Sequence, residues 1–434
     1  MNTASIHSLK RSFCIGIVIL AASVLADPLW AAPPPQVVIQ RMDRDGDGRI
    51  SADEWLRSPQ VFQRIDGDND GYVTLEELID FRAKRAGRQP GNAAPAPTPG
   101  ELAATDNKPK AGWTDVHFHL VANKEDLEGF DEAARRAIQI MDEAGIGKII
   151  AMSPPRPRQN FDFESISGLA KKYSARIAIL GGGGTLNPMI QAAGHSPAVS
   201  AELRNRFKET AEKIIASGAK GFGEMTAHHV SLSPSHGYEG VPADHSLFLL
   251  LADIAAQHNV PIDMHFDPVP EDAETPSHLD SPKNPPILKE NIKAFERLLS
   301  HNRSATIVWA HAGSDPVGWY TPELVQEMLA KHRNLFFSIR PVNRPDTNPV
   351  WNPKTGINHD WISVFKRYPD RFVLGTDSFV VSASYTGQAK APLVFEQRTR
   401  IQRQGVNELL SSLDEDLARK IGHENAERIY RLNE

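Results

Sequence analysis

Six residues stand out by type and spacing. His117 and His119 sit one residue apart in the stretch Asp115-Val116-His117-Phe118-His119. On a strand, residues two apart face the same way, so both imidazoles point to one side. Two imidazoles alone hold a divalent cation weakly. Glu224, His265, His311 and Asp377 lie far along the chain, each at the end of a short apolar run. His265 and Asp377, brought to the pair, would complete an N/O donor set with an open position for water. That is the design of a catalytic metal site. An ion held there lowers the pKa of water towards about 7. Asp377 is then the candidate proton acceptor. His311 is the candidate to stabilise a substrate oxygen or to help proton transfer.

Such a set needs a scaffold that gathers distant strand ends. Short apolar runs occur at 114–120, 147–152, 176–181, 219–224, 261–266, 305–311, 335–340 and 372–377. Helix-period segments lie between them. In 130–144, Phe130, Ala133, Ala134, Ile138, Met141 and Ala144 recur at three- and four-residue steps and stop at Gly145. Segments 202–216, 245–257, 287–299 and 322–332 behave alike. Eight strands with helix-like sequence after them predict an α/β fold, a (β/α)8 TIM barrel over 112–434. In such barrels the active site lies at the C-terminal strand ends, where these six residues fall. A doubly wound sheet fits less well, because no Gly-x-Gly-x-x-Gly follows a first strand. The glycine run 181–184 reads as a loop crossing the barrel mouth rather than a phosphate cradle.

In order along the chain, His-x-His at strand one, His at strands five and six and Asp at strand eight resemble the amidohydrolase superfamily of metal-dependent hydrolases. The branch most similar is the amidohydrolase-2 type, over residues 112–434. The resemblance implies His117, His119, His265 and Asp377 as metal ligands, with His311 a ligand or catalytic histidine. Strand four departs from the pattern. Two-metal members often carry a modified lysine there, whereas here Lys220 comes early and Glu224 ends the run. Glu224 looks like the glutamate of the TatD-like deoxyribonuclease branch. A carboxylate can bridge two cations, and it can equally orient a ligand or face substrate, so one ion or two stays open. The resemblance implies a divalent transition metal, zinc the first choice.

Further residues are candidates for support or substrate contact. His228 and His229 follow strand four, and His228 is a candidate substrate contact. Asp267 shares the direction of His265 two residues on. Arg340 ends strand seven and could grip a carboxylate bidentately, or form a salt bridge on the barrel rim. Asp115 shares the face of His117 and is expected to orient a ligand. Loops 228–244, 267–286 and 341–358 are expected to form the substrate lid.

A second chemistry lies nearer the N-terminus. Asp43, Asp45, Asp47, Arg49, Ser51 and Glu54 repeat as Asp66, Asp68, Asp70, Tyr72, Thr74 and Glu77, 23 residues on. Each set supplies oxygens at loop positions 1, 3, 5 and 9, a backbone carbonyl at 7, glycine at 6 and glutamate at 12. Calcium takes roughly six to eight oxygens, and this spacing winds a tight loop around it. Apolar helical flanks surround both loops, and Ile50 and Val73 are expected to pair between them. The segment resembles the EF-hand family, which implies a small all-α domain over 33–86 holding two Ca2+. A Pro/Ala-rich linker follows at 87–111.

Lys10 and Arg11 precede the apolar run Phe13–Ala26, the layout of a secretory signal peptide ending within 1–32. The protein is therefore expected to be exported, periplasmic or secreted, with no membrane segment in the mature form. The one cysteine of the 434 residues, Cys14, lies in that run, so no disulfide forms within the chain. With 40% apolar and 24% charged residues, a collagen-like or wholly disordered chain is excluded. A net charge of -6 gives nucleic-acid binding no support. The sum is an exported metal-dependent hydrolase acting on an amide, ester or lactone carbonyl of a small molecule. Decarboxylation, a TatD-like phosphodiesterase and a calcium-binding protein on an inactive barrel are the alternatives.

Overall fold

Two compact units divide the chain, Met1–Ala104 and Thr105–Glu434. A computed structural model describes residues 49–51, 54–55, 62, 65–68, 70–86 and 112–433, apart from breaks at 124–125, 156–161, 195, 197, 233–236, 280, 342–347, 354, 383–384 and 386–390. The expected signal peptide (1–32), Asp43, Asp45, Asp47 and the linker (87–111) lie outside the described residues.

In the first unit, Ile50–Ser51 and Tyr72–Val73 form an antiparallel ribbon with Ile50 opposite Val73, as the repeat predicts. Ile50, Trp55, Phe62, Ile65, Val73 and Leu78 make its core. Thr74 precedes the helix Leu75–Ala86. The Arg49 guanidinium stacks 4.1 Å over the Tyr72 ring, linking position 7 of the two loops.

The second unit is built on eight parallel strands: β1 Trp113–Val121, β2 Ile146–Met152, β3 Ile177–Ile179, β4 Phe222–His228, β5 Pro261–Phe266, β6 Thr306–Ala312, β7 Leu335–Ile339 and β8 Phe372–Leu374. Their order in the sheet is 3-2-1-8-7-6-5-4. Gly181–Gly182, directly after β3, pairs in parallel with β4 and brings the two ends of the sheet together as a barrel. Strands buried on both faces need near-continuous apolar sequence, and all nine residues of β1 are buried.

Outer helices follow the strands: α1 Leu127–Ala144, α2 Phe163–Lys172, α3 Ala201–Ala216 (preceded after β3 by a short helix, Leu186–Ala193), α4 Ser246–His258, α5 Ile292–His301, α6 Pro322–Lys331, α7 His359–Arg367 and α8 Ala391–Ser412. Local chemistry sets their ends. Asp126 caps α1 by accepting from Gly129 N at 2.7 Å, and Gly145 stops it at φ 70°. Thr321 caps α6, whose first residue is Pro322. The inner face of α1 buries Phe130, Ala133, Ala134, Ala137, Ile140 and Met141. Each large apolar side chain so buried contributes about 1.5–3 kcal/mol.

Three boundaries differ from the sequence reading. Helix α5 starts at Ile292, not 287, because Ile287–Leu288 pairs with Ala273–Glu274 instead. Strand β4 runs three to four residues later than 219–224, so Glu224 is its third residue rather than its last. Gly221, just before it, has φ +157°, and a Cβ there would stand 2.4 Å from Pro261 O. Strand β8 ends at Leu374, which leaves Asp377 in the turn before the short strand Ser378–Val381.

Inside the barrel, Val116, Ile150, Met152, Ala178, Leu180, Val308 and Val373 pack on the C-terminal residues Ala426, Ile429, Tyr430 and Leu432. Among the described residues no helix is long and apolar enough to cross a membrane.

Candidate metal centre

His117, His119, Glu224, His265, His311 and Asp377 converge at the C-terminal mouth of the barrel, all buried. Glu224 is the hub. Its Oε2 lies 3.6 Å from both His117 Nε2 and His119 Nε2. Its Oε1 lies 3.0 Å from His265 Nδ1 and 3.4 Å from His311 Nε2. Asp377 Oδ1 stands 3.1 Å from His119 Nε2 and 4.0 Å from His117 Nε2.

The backbone is shaped to deliver these groups. Glu224 is reached closely by Gly183, where a Cβ would meet Ser153 O at 2.4 Å and Glu224 N at 3.0 Å. The glycine run therefore lets its backbone lie against β4. Asp162, buried with its carboxyl pushed up to about 6 by burial, accepts from Gly182 N at 3.0 Å and from the Thr185 hydroxyl. His311 and Asp377 have φ of 70° and 52°, left-handed values that few non-glycine residues adopt and that cluster at functional sites.

Supporting contacts fix which ring nitrogens face the centre. His119 Nδ1 donates to Met152 O at 3.1 Å, and His117 Nδ1 lies 3.1 Å from Asp263 Oδ1. Both therefore present Nε2. His265 does the reverse, with Nε2 3.4 Å from Asp267 Oδ1 and Nδ1 inward. Asp115 joins two segments that carry candidate ligands. It accepts from His117 N at 3.2 Å, from Thr376 N at 3.0 Å and from Thr376 Oγ1 at 2.6 Å. Burial pushes its carboxyl up to about 6.

The donors fit a divalent ion. His117 Nε2 and His119 Nε2 are buried and hydrogen-bond to no described residue. A tetrahedral ion with ligands at about 2.0–2.1 Å spaces them about 3.3 Å apart, close to the separations found. Ligand atoms of His117, His119 and Glu224 lie within 4.8 Å of one another, as do those of Glu224, His265 and His311. A third such group, His229, His265 and Asp267, shares His265 with the second.

Charge alternates through the cluster. Burial works against a charged Glu224, but His117, His265 and His311 hold its carboxyl well below the usual range. Burial likewise opposes a charged His117, and Asp263 and Glu224 overcome it and raise the ring's pKa well above normal. His265 goes up to about 10 against its burial, driven by Asp267 and Glu224. His311 is pushed down to about 3 by burial, with His117, His265 and Arg340 adding to the effect. Asp377 stays well below the carboxylate range despite burial, chiefly because of Arg340.

The remaining candidates fall around this core. Arg340 Nη2 lies 2.8 Å from Asp377 Oδ2, and its Nη1 reaches Ser314 Oγ at 3.5 Å. His228 has both ring nitrogens engaged, Nδ1 donating to Asp267 O at 2.8 Å and Nε2 accepting from Tyr238 Oη at 3.3 Å. Its neighbour His229 instead lines a cavity of about 210 Å³ with His265, His311, Arg340, Leu232 and Leu279. The cavity walls are cross-tied. Asn284 binds Ser231 at both N and O, and His278 Nε2 donates to Pro316 O at 2.8 Å.

Two further acids, buried Asp263 and half-buried Glu239, were not foreseen. Asp263 is an acid inside the apolar run Pro261–Phe266, on the face of His265 two residues on, and that break in pattern was its only signal. Glu239 lies beside Asn187 on the β4 loop, and burial pushes its carboxyl up to about 7. Nothing in its sequence surroundings marks it.

In the first unit, Asp66, Asp68 and Asp70 bring carboxylate oxygens within 4.8 Å of one another. Glu77 accepts from Gly67 N at 2.7 Å and Thr74 N at 2.9 Å, and Glu54 from Ser51 N at 2.9 Å.

The amidohydrolase family profile matches residues 114–432, and the EF-hand profile matches 36–57 and 60–81. No curated protein matches the chain. Among solved structures, 4-oxalomesaconate hydratase from Rhodopseudomonas palustris aligns at 12% identity, covering 74% of this chain and 96% of its own, with a TM-score of 0.42. A probable 2-pyrone-4,6-dicarboxylic acid hydrolase from Acinetobacter baumannii, with citric acid bound, aligns at 12% identity over 74% of this chain and 99% of its own, TM-score 0.40. With the profile covering almost all of its (β/α)8 barrel, the chain belongs to the amidohydrolase family and carries an EF-hand pair ahead of it.

Proposed function

We propose that this protein is an exported metal-dependent hydrolase that uses two divalent transition ions, zinc the first choice, on the amide, ester or lactone carbonyl of a small molecule. The observation that carries the reading is Glu224, whose two oxygens face two different histidine pairs, His117/His119 and His265/His311. His117, His119, Asp377 and Glu224 Oε2 would hold one ion, and His265, His311 and Glu224 Oε1 the other. When bound, the ions supply Lewis acidity and lower the pKa of water.

The chain's own residues do the rest. Asp115, Asp263, Asp267 and the Met152 carbonyl orient the ligands. Asp377, charged and turned into the site, takes the proton from the attacking water. The cavity of about 210 Å³ with its tied walls suits a small-molecule substrate. The EF-hand pair takes two Ca2+ through Asp43, Asp45, Asp47, Arg49 O, Ser51 and Glu54, and through Asp66, Asp68, Asp70, Tyr72 O, Thr74 and Glu77. Residues 1–32 direct export and are removed, and 33–86, 87–111 and 112–434 form the EF-hand domain, linker and barrel.

Decarboxylation is the second reading, favoured by Arg340 at the cavity wall, where it could meet a substrate carboxylate. One screen separates them. Zinc-loaded protein is offered panels of esters, lactones, amides and carboxylic acids, with acid release and CO2 release followed in parallel. Hydrolysis without CO2 supports the proposal, and CO2 release without hydrolysis replaces it by the second reading. Fractionation of the expressing cells tests export: full-length protein retained in the cytoplasm would contradict it.

A further inference from the structure

Beneath the metal centre, the barrel interior holds polar groups that the ligand set does not use. Asp263 is fully buried on β5, and neither of its carboxylate oxygens hydrogen-bonds to a described residue. Tyr430 is 1% exposed, and its hydroxyl is also without a hydrogen bond among the described residues. Buried polar atoms without a partner are rare and costly, so two in one barrel interior call for a shared ligand.

The fold brings them towards each other. Tyr430 closes the short helix Asn425–Tyr430, and its ring packs in the interior cluster with Val116 and Val308. Val116 directly precedes His117, and Val308 is the register partner of Asp263 across the β5–β6 ladder. The C-terminal segment is clamped in place there. Lys220 Nζ donates to Arg431 O at 3.0 Å, Lys148 Nζ to Leu432 O at 3.4 Å, and Asn425 Nδ2 to Phe372 O at 2.9 Å. On the far side, Asp263 Oδ1 stands 3.1 Å from His117 Nδ1.

We propose that Tyr430 is a positioning residue for the metal centre: its hydroxyl, presented from the barrel floor, joins Asp263 through a buried water and so holds the His117 imidazole with Nε2 toward the ion site. A water with two to four polar partners is the usual occupant of such a place. The C-terminal segment then does more than plug the barrel. It sets the orientation of the acid that orients a ligand, and partners of this kind are worth about 10–100-fold in metal affinity. The proposal rests on the metal reading above, which supplies the ligand role of His117.

The test compares wild type with Tyr430→Phe, Asp263→Asn and the double variant. Two readings are taken: the melting temperature of the metal-free protein, and Co2+ affinity from the visible absorption of the bound ion. A hydroxyl in a hydrogen-bonded relay stabilises the fold, whereas a truly unpartnered one destabilises it, so the sign of the melting shift decides. The expected result is a Tyr430→Phe protein that melts about 2–4 °C lower. It also binds Co2+ about tenfold more weakly. The Asp263→Asn background should show no further loss on adding Tyr430→Phe. A Tyr430→Phe protein that melts at the same or a higher temperature, or binds Co2+ within about twofold of wild type, overturns the proposal. If wild type itself fails to bind Co2+, the metal reading falls, and the melting comparison still decides the link between Tyr430 and Asp263.

Discussion

Arg340 Nη2 lies 2.8 Å from Asp377 Oδ2, while the other oxygen of Asp377 faces His119 Nε2 at 3.1 Å. One carboxylate is thus shared between a fixed cation and the ion site. The guanidinium keeps Asp377 charged and aims it, at the cost of making it a weaker base. Both partners are buried, so breaking the pair leaves a carboxylate without its cation.

Arg340→Ala should therefore destabilise the metal-free protein by about 3–5 kcal/mol, the usual cost of removing one partner of a buried pair. It should also lower kcat/KM at least about tenfold, because Asp377 loses its orientation. Urea unfolding and steady-state kinetics on the best substrate check both. A variant as stable as wild type with full kcat/KM would show that the pair does not position Asp377.

Glu239 gives a pH-dependent prediction. Its folded pKa is raised to about 7 from 4.5 by burial, so the folded state holds a proton that the unfolded state releases earlier. The contribution is present below pH 4.5 and is lost as pH rises to about 7. Glu239→Gln cannot ionise, so relative to wild type the variant gains stability across that window. After allowing for partial exposure, the gain is on the order of 1–3 kcal/mol. Denaturant melts of the metal-free proteins at pH 4.5 and 7.5 measure it. A difference that stays constant between those pH values contradicts the assignment.

Calcium should act apart from the chemical step, since every candidate catalytic ligand lies after residue 112. Glu54→Gln and Glu77→Gln each remove a charged bidentate ligand and should weaken calcium binding at their own loop by about tenfold or more in titration calorimetry. Chelating calcium while zinc is kept loaded should leave kcat within about twofold. A tenfold fall, about 1.4 kcal/mol, would establish coupling between the two units.

The convergence of the six candidate ligands was readable because apolar runs of the sequence close on or near them, and because His-x-His puts two rings on one face. Strand alternation also pointed to Asp115 and Asp267 as supports. The limits came from register and from distance. Lys220 and the glycines blurred the start of β4, so His228 rather than His229 looked able to face substrate. A two-residue repeat cannot say which of two adjacent histidines a loop will turn inward. Arg340 was seen as a candidate cation, but its pairing with Asp377 depends on a left-handed turn at 377, which strand periodicity does not encode. Tyr430 reaches the barrel interior only because residues 426–432 pack against the strands there, and no local pattern announces that return.

The central claim is that Glu224 joins two ions. Metal analysis combined with anomalous diffraction at the zinc edge tests it most directly, on wild type and Glu224→Ala. The account predicts two zinc ions per wild-type barrel, about 3.5–4 Å apart on either side of the Glu224 carboxylate. It predicts at most one in Glu224→Ala, with turnover lowered about a hundredfold or more. A wild-type protein with a single ion that Glu224 does not touch, or a Glu224→Ala protein that keeps two ions and full turnover, would contradict it.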